Sequence, residues 1–117
     1  MSDSSAHDPL ADFPASVQAD HAAFLATGDL AAADRVILAI VMDHIPDKSP
    51  SKGTLPADDQ RLVEDLGFDS LALAEVVFFV EDVYQLRINQ DELGHLATVG
   101  QLRAYVRDHL QSLPPRA

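Results

Sequence analysis

Apolar residues in this 117-residue chain recur at the helical period over several stretches, and none alternates with polar residues at period two. That pattern rules out a sheet as the organising element and leaves amphipathic helices. From Asp29 to Ile45, the residues Val36, Ile37, Ile40, Val41 and Ile45 mark one face. From Ser70 to Leu86, Leu73, Val76, Val77, Val80, Val83 and Tyr84 form an all-apolar arc. Thr98 with Gln101 makes a capping box for a helix over Val99 to Leu110, where Val99, Leu102, Val106 and Leu110 repeat at helical spacing. A short helix is expected at Gln90 to Leu96. Another is expected at Val17 to Thr27, capped by Ser16, stopped by Gly28, and with Val17, His21, Phe24 and Leu25 on one face. Between the 29–45 and 70–86 helices, Pro46, Pro50, Ser51, Gly53 and Pro56 break any period and predict a long loop. The expected fold is all-α: a four-helix bundle with a long loop between its first and second helices, plus a short extra N-terminal helix.

Leu38 and Met42 widen the apolar stripe of the 29–45 helix to about 240° of its circumference, more than one side of a small bundle needs. Either the 17–27 helix or a second chain covers them, or they are two scattered exposed residues. Met1 to Pro14 offers little to bury and reads as disordered. The predicted organisation is an N-terminal extension over 1–33, a domain over 34–112 and a flexible tail over 113–117.

Composition narrows the function. The chain carries 8 basic against 19 acidic residues, a net charge of −11, so nucleic acid and anionic lipid are poor partners and basic protein surfaces are good ones. With no cysteine, thiolate catalysis, disulfides and Cys-ligated zinc are excluded, and a reducing cytoplasm is the expected location. The N-terminus lacks the basic start and apolar run of a signal peptide, and no apolar run is long enough for membrane insertion. The five histidines are scattered with none paired at i, i+4, and the acidic loop around Asp58, Asp59, Glu64, Asp65 and Asp69 lacks EF-hand alternation, so no metal site is expected. No nucleophile–base constellation is visible, so the chain is not expected to be an enzyme.

The informative segment is Val63-Glu64-Asp65-Leu66-Gly67-Phe68-Asp69-Ser70-Leu71, running from the long loop into a helix. Gly67 permits a positive φ and a sharp turn. Leu66 and Leu71 are placed to pin that turn to the core. Ser70 then sits at a helix N-terminus, where a phosphate meets unsatisfied N–H groups and the positive end of the dipole. Ser and Asp are also the preferred helix caps, and most serines so placed only cap, so position alone favours a structural role for Ser70. Its neighbours Asp65 and Asp69 are acidic and no His adjoins it, so modification of Ser70 would require another protein to activate it.

Asp65-Leu66-Gly67-Phe68-Asp69-Ser70-Leu71 resembles the phosphopantetheine attachment motif of acyl carrier proteins, Asp-Leu-Gly-x-Asp-Ser-Leu, with Phe68 at the variable place. The similarity runs from about residue 34 to 111. It takes in the Ile37, Ile40, Val41, Ile45 pattern, the pair Glu81-Asp82, the stretch around Ile88 and the Ala97-Thr98-Val99 helix start. The resemblance implies a non-catalytic carrier. A phosphopantetheinyl transferase would move a 4′-phosphopantetheine arm from coenzyme A to Ser70, with Asp69, Leu71 and Gly67 forming its setting, and acyl groups would ride on the arm's thiol as thioesters.

Around Leu71 on the helical wheel, Ala74, Glu75, Phe78, Glu81, Asp82 and Gln85 fall within about 120°. Carboxylates there would steer enzymes with basic patches, and the apolar groups would bury on contact. A solvated face is the plain alternative, but Phe78 among carboxylates is a poor surface choice unless something covers it. Ala72 stands where housekeeping fatty-acid carriers usually have an acid, Phe78-Phe79 is unusually apolar, the long loop is a few residues longer than is common, and 1–33 is additional. The resemblance therefore implies a specialised carrier in fatty-acid, polyketide or other lipid biosynthesis. The alternatives are a peptidyl or aminoacyl carrier, which Gly67-Phe68-Asp69-Ser70 disfavours, and a cofactor-free helical interaction module. A monomer is expected, with dimerisation through the N-terminal segment as the alternative.

Overall fold

A computed structural model describes residues 10–88 and 96–111. Among the described residues there are four α-helices and no strand: α1 (Ala15–Thr27), α2 (Leu30–His44), α3 (Ser70–Tyr84) and α4 (Val99–Gln111). The short helix expected at Gln90 to Leu96 falls almost wholly outside the described residues, and the tail expected over 113–117 lies wholly outside them.

Local chemistry explains each boundary. α1 begins one turn after Leu10 and is preceded by Pro14 rather than capped by Ser16; no side chain caps it. Proline suits a helix start because the N–H it lacks would have no intrahelical partner there. Gln18 donates to the Phe13 and Ala11 carbonyls and ties the helix to the turn before it. Gly28 closes α1 at φ +74°, its N–H bonded to the Phe24 carbonyl at 2.7 Å. Asp29 is the cap of α2 rather than its first turn, accepting from the N–H groups of Ala31 and Ala32. α2 stops because Ile45 precedes Pro46 and takes an extended conformation. α3 ends at Tyr84, two residues earlier than the pattern suggests, because Gln85 adopts the left-handed conformation at φ +56° and its N–H bonds the Glu81 carbonyl. The Thr98–Gln101 capping box forms in both directions.

α2 is the central helix and touches each of the other three. The arc assigned to the core on α3 is buried at Val76, Val77, Val80, Val83 and Tyr84, with Leu73 half-buried against it. Residues 10–14 of the N-terminal segment join this core. Leu10 is 1% exposed, where the composition of Met1 to Pro14 suggests disorder; Leu10 and Phe13 are the apolar groups that give the segment something to bury. Phe13 meets the Phe79 ring at 5.6 Å, and Phe24 meets Tyr84 edge-on at 5.4 Å. Leu25, expected on the inner face of α1, is 43% exposed; Val17 and Phe24 are buried there, and His21 packs edge-on against Tyr84. Of the two residues that widen the α2 stripe, Met42 lines a hollow with Phe13 and Val17, and Leu38 is half-buried against the core.

Among the described residues, two arginines tie helices together through ion pairs. Asp20 on α1 receives a two-pronged bond from Arg35 on α2, at 2.9 and 3.1 Å, which lowers the Asp20 carboxyl below its usual range. Arg103 on α4 reaches both Asp34 on α2 and Asp58 in the long loop, and the bonds to Asp34 chiefly raise its guanidinium above the ordinary value.

Tyr84 is fully buried, and its hydroxyl donates to the Ala33 carbonyl at 3.3 Å. Burial, reinforced by the charges of Asp34 and Asp20, pushes its phenol well above the ordinary value. The unfolded chain therefore loses this proton first as pH rises. The stability that the neutral phenol contributes is complete below about pH 10 and is lost progressively above it. Tyr84→Phe should cost about 0.5–1.5 kcal/mol at neutral pH through the lost bond. It should also flatten the fall of the denaturant midpoint above about pH 10. Equal alkaline slopes in wild type and variant would show that another group controls this limb.

Candidate functional site

The loop before α3 is built to hold one turn. Leu62 and Leu66 are both 0% exposed and Phe68 is 1% exposed, so three side chains within seven residues anchor the segment. Their backbones interlock: Leu62 N–H donates to the Ala97 carbonyl at 2.9 Å, and Phe68 N–H to the Leu62 carbonyl at 3.0 Å. Arg61 pairs with Thr98 in an isolated antiparallel bridge, and the N–H groups of Val99 and Gly100 reach back to the carbonyls of Gln60 and Asp58. The loop is thus docked on the start of α4, and Arg103 clasps it again through Asp58. Gly67 has φ +82°, the sharp turn expected of it. A Cβ there would lie 3.6 Å from the Ser49 Cβ, an ordinary contact, so the demand for glycine comes from the backbone angle.

This turn delivers Ser70 as the first residue of α3, exposed to solvent. The structure separates the two residues that could cap the helix. Asp69 does so: its carboxylate accepts from Ala72 N–H at 2.8 Å, and its carbonyl accepts from Leu73 N–H at 3.0 Å. The Ser70 side chain is not used as the cap. The first-turn amides of Ser70 and Leu71 have no acceptor within the helix, so an anion on the Ser70 oxygen would meet both them and the positive end of the α3 dipole. The residues present therefore fit a phosphodiester on Ser70.

Leu71, expected to pin the turn to the core, is 70% exposed. Position 71 lies on the outward side of α3, and Leu66 and Phe68 do the pinning instead. Phe68, which the motif treats as variable, was the missed anchor; its signal in the sequence is a bulky apolar group set between Gly67 and Asp69. The arc around Leu71 is assembled as the helical wheel places it. Phe78 is 54% exposed, Glu75, Asp82 and Gln85 are exposed, and Ala74 and Glu81 are half-buried. Glu81 is committed internally, its carboxylate accepting from Ile88 N–H at 2.7 Å. Arg103 and its two aspartates had no signature in the sequence, since a single Arg on an amphipathic helix is ordinary.

Among the described residues, no three His, Cys, Asp or Glu side chains gather as a metal site, and no helix is long and apolar enough to cross a membrane.

A family model described as the phosphopantetheine attachment site matches residues 51–106, which include the whole turn and α3. An acyl carrier protein of Amoebophilus asiaticus is 38% identical over 73 residues, covering 60% of this chain and 88% of that protein. One from Chlamydia trachomatis serovar L2 is 32% identical over 76 residues, covering 62% and 90%. The meromycolate extension acyl carrier protein of Mycolicibacterium smegmatis is 31% identical over 80 residues, covering 68% and 78%. No solved structure matches the chain significantly. Acyl carrier proteins catalyse nothing themselves and work with a phosphopantetheinyl transferase and acyl-processing enzymes. The helical fold, the attachment-site match and relatives aligned over most of their own length agree: this chain belongs to the acyl carrier protein family, whose cofactor is a covalently attached 4′-phosphopantetheine.

Proposed function

We propose that Ser70 is the attachment point and that the chain carries acyl intermediates of a dedicated lipid or polyketide pathway between enzymes. The observation that carries this reading is the division of labour at the start of α3: Asp69 caps the helix, which leaves the exposed Ser70 hydroxyl to react. In the loading step the Ser70 oxygen bonds to the phosphorus of the pantetheine phosphate in coenzyme A. The pyrophosphate bond breaks, 3′,5′-ADP leaves, and the hydroxyl proton passes to a base of the transferase. When bound, the arm supplies a terminal thiol that holds acyl groups as thioesters. The chain's own part is to present the serine, steady it through the Asp69 cap and the buried Leu66 and Phe68, and leave its first-turn amides open to the phosphate. Residues 34–112 form the carrier unit in this reading, and 1–33 adds a helix to it.

The test is intact-protein mass after incubation with coenzyme A, magnesium and a broad-specificity transferase. The expected result is a gain of one phosphopantetheine group, mapped by peptide sequencing to residue 70. Well-folded protein that gains no mass would overturn the reading in favour of a cofactor-free interaction module.

Partner enzymes dock, in this reading, on the outward face of α3. Leu71 and Phe78 provide apolar contact, Glu75 and Asp82 provide charge, and Ala74 and Glu81 lie at the half-buried edge. Reversing Glu75 and Asp82 together to Lys should lower kcat/KM of a partner enzyme for the loaded carrier roughly five- to thirtyfold at low salt. The effect should shrink as salt screens the charges. Unchanged turnover would move the docking face elsewhere. The departures of α3 from housekeeping carriers, and a relative named for meromycolate extension, support a specialised lipid cargo.

A further inference from the structure

The start of α4 meets the limb of the long loop over 58–62 in one tight joint. Gly100 N–H donates to the Asp58 carbonyl at 3.0 Å. A Cβ on Gly100 would lie 3.1 Å from the Asp58 Cβ and 3.2 Å from its carbonyl oxygen, tighter than ordinary contact. Gly100 has no positive φ, so the demand for glycine here comes from the close approach of the loop backbone. Arg103, further along α4, reaches back over the same joint to the Asp58 carboxylate.

The Arg103 guanidinium is itself held. Its Nε donates to Asp34 on α2 at 2.9 Å, and a second nitrogen pairs with the other oxygen of that carboxylate. The two side chains are 21% and 15% exposed, so the fork lies mostly inside the protein. A planar guanidinium gripped on two prongs aims its remaining N–H groups in a fixed direction. Asp58, whose side chain is largely exposed, meets that preset donor.

From this joint the contact runs to the serine through backbone. Val99 N–H holds the Gln60 carbonyl at 3.0 Å, Leu62 N–H holds the Ala97 carbonyl at 2.9 Å, and Phe68 N–H holds the Leu62 carbonyl at 3.0 Å. Phe68 is followed by Asp69, the cap of α3, and then by Ser70. The motif turn thus rests on the limb 58–62, and the far end of that limb is fastened at Gly100 and Arg103.

We infer that Arg103 and Gly100 are positioning residues for the loading of Ser70. They touch no reacting atom. They hold the limb against α4, and the limb holds the turn where a transferase meets the serine. This role rests on Ser70 as the attachment point, and it extends the site to two residues of the last helix, well outside the attachment motif. A limb that leaves α4 part of the time presents the turn correctly for only that remaining fraction. Apparent affinity falls by the fraction of chains that are competent to bind. Loosening the joint therefore raises the KM of the transferase for the carrier and leaves kcat unchanged.

The experiment uses the full chain. Loading by coenzyme A and a broad-specificity transferase is followed by intact mass, and amide hydrogen exchange is read on the unloaded protein. Asp58→Ala removes the bond from the loop to Arg103 and leaves the fork on Asp34 in place. Gly100→Ala pushes the Asp58 backbone outward, although alanine is the better helix former. Ile40→Val, a core truncation on α2, controls for lost stability. Asp58→Ala and Gly100→Ala should each raise KM about three- to tenfold with little change in kcat. Both should also speed exchange at the Leu62, Phe68, Val99 and Gly100 amides about tenfold relative to amides inside α3. Ile40→Val should melt lower and load as wild type does. If wild type gains no mass, the Ser70 reading falls and the positioning role falls with it. If wild type loads and both joint variants load with unchanged KM, the positioning role alone is overturned, and the joint serves stability only. It is overturned as well if Ile40→Val raises KM by the same factor, since any loss of stability would then suffice.

Discussion

Ser70→Ala should abolish loading completely while leaving the helix that presents it intact. Most substitutions at a helix start confound function with stability, because Ser, Thr, Asp and Asn at the cap stabilise a helix by about 0.5–2 kcal/mol over Ala. Here that penalty does not apply. Asp69 caps α3, and Ser70 is the first residue inside the helix, where alanine is the best helix former. The side chain is exposed, so its removal opens no cavity. The variant should therefore melt within about 0.5 kcal/mol of wild type, the usual range for surface changes, and should gain no mass with coenzyme A and transferase. Asp69→Ala is the informative contrast. It removes the cap, so it should cost about 1 kcal/mol and slow loading without abolishing it. If Ser70→Ala still gained one phosphopantetheine group, the attachment point would be another hydroxyl. If Ser70→Ala unfolded, the serine would have a structural role that the capping geometry does not show.

The contrast between these two neighbours also shows what a sequence can convey. Asp69-Ser70 presents two residues that cap helices equally well, and composition cannot assign the role to one of them. The assignment follows from which carboxylate or hydroxyl reaches the Ala72 N–H, and that depends on the turn at Gly67. The turn itself was legible, because only glycine takes a φ of +82° without strain. The helices were legible too, since an apolar stripe must be buried and its period fixes the element. Boundaries were less so. The end of α3 depends on Gln85 adopting a left-handed conformation that propensity disfavours. The start of α1 depends on Pro14, not on the nearest good capping residue. The long-range clasp of Arg103 on Asp34 and Asp58 joins residues 69 and 45 positions apart, and nothing local marks it. The burial of Leu10 likewise follows from what the folded core leaves uncovered, which a polar local composition conceals.

Phe68→Ala should be among the most damaging single changes near the site, although no reacting atom touches Phe68. Truncating a buried Phe typically costs about 3–5 kcal/mol, because lost transfer free energy and the residual cavity add. Small domains have only about 5–15 kcal/mol of stability in total, so the variant should lose a fifth or more of its resistance to urea. The position makes the loss functional. Phe68 lies between Gly67, whose φ makes the turn, and Asp69, whose carboxylate caps α3, and its N–H holds the Leu62 carbonyl. With the ring gone, Leu62 and Leu66 are the buried anchors left in the segment, and the turn at Gly67 can leave the core without unfolding α3. Loading should then slow at temperatures where circular dichroism still reports a folded bundle. Phe68→Leu restores most of the apolar surface and should recover both stability and rate in large part. The comparison separates two roles for the turn. If Phe68→Ala loads as fast as wild type while folded, the transferase recognises Asp69 and Ser70 on a free segment, and the buried anchors serve the core alone. If loading falls with the anchor and returns with Phe68→Leu, the turn is recognised as a preformed surface. In that case the hydrophobic core extends its control to the serine hydroxyl two residues away.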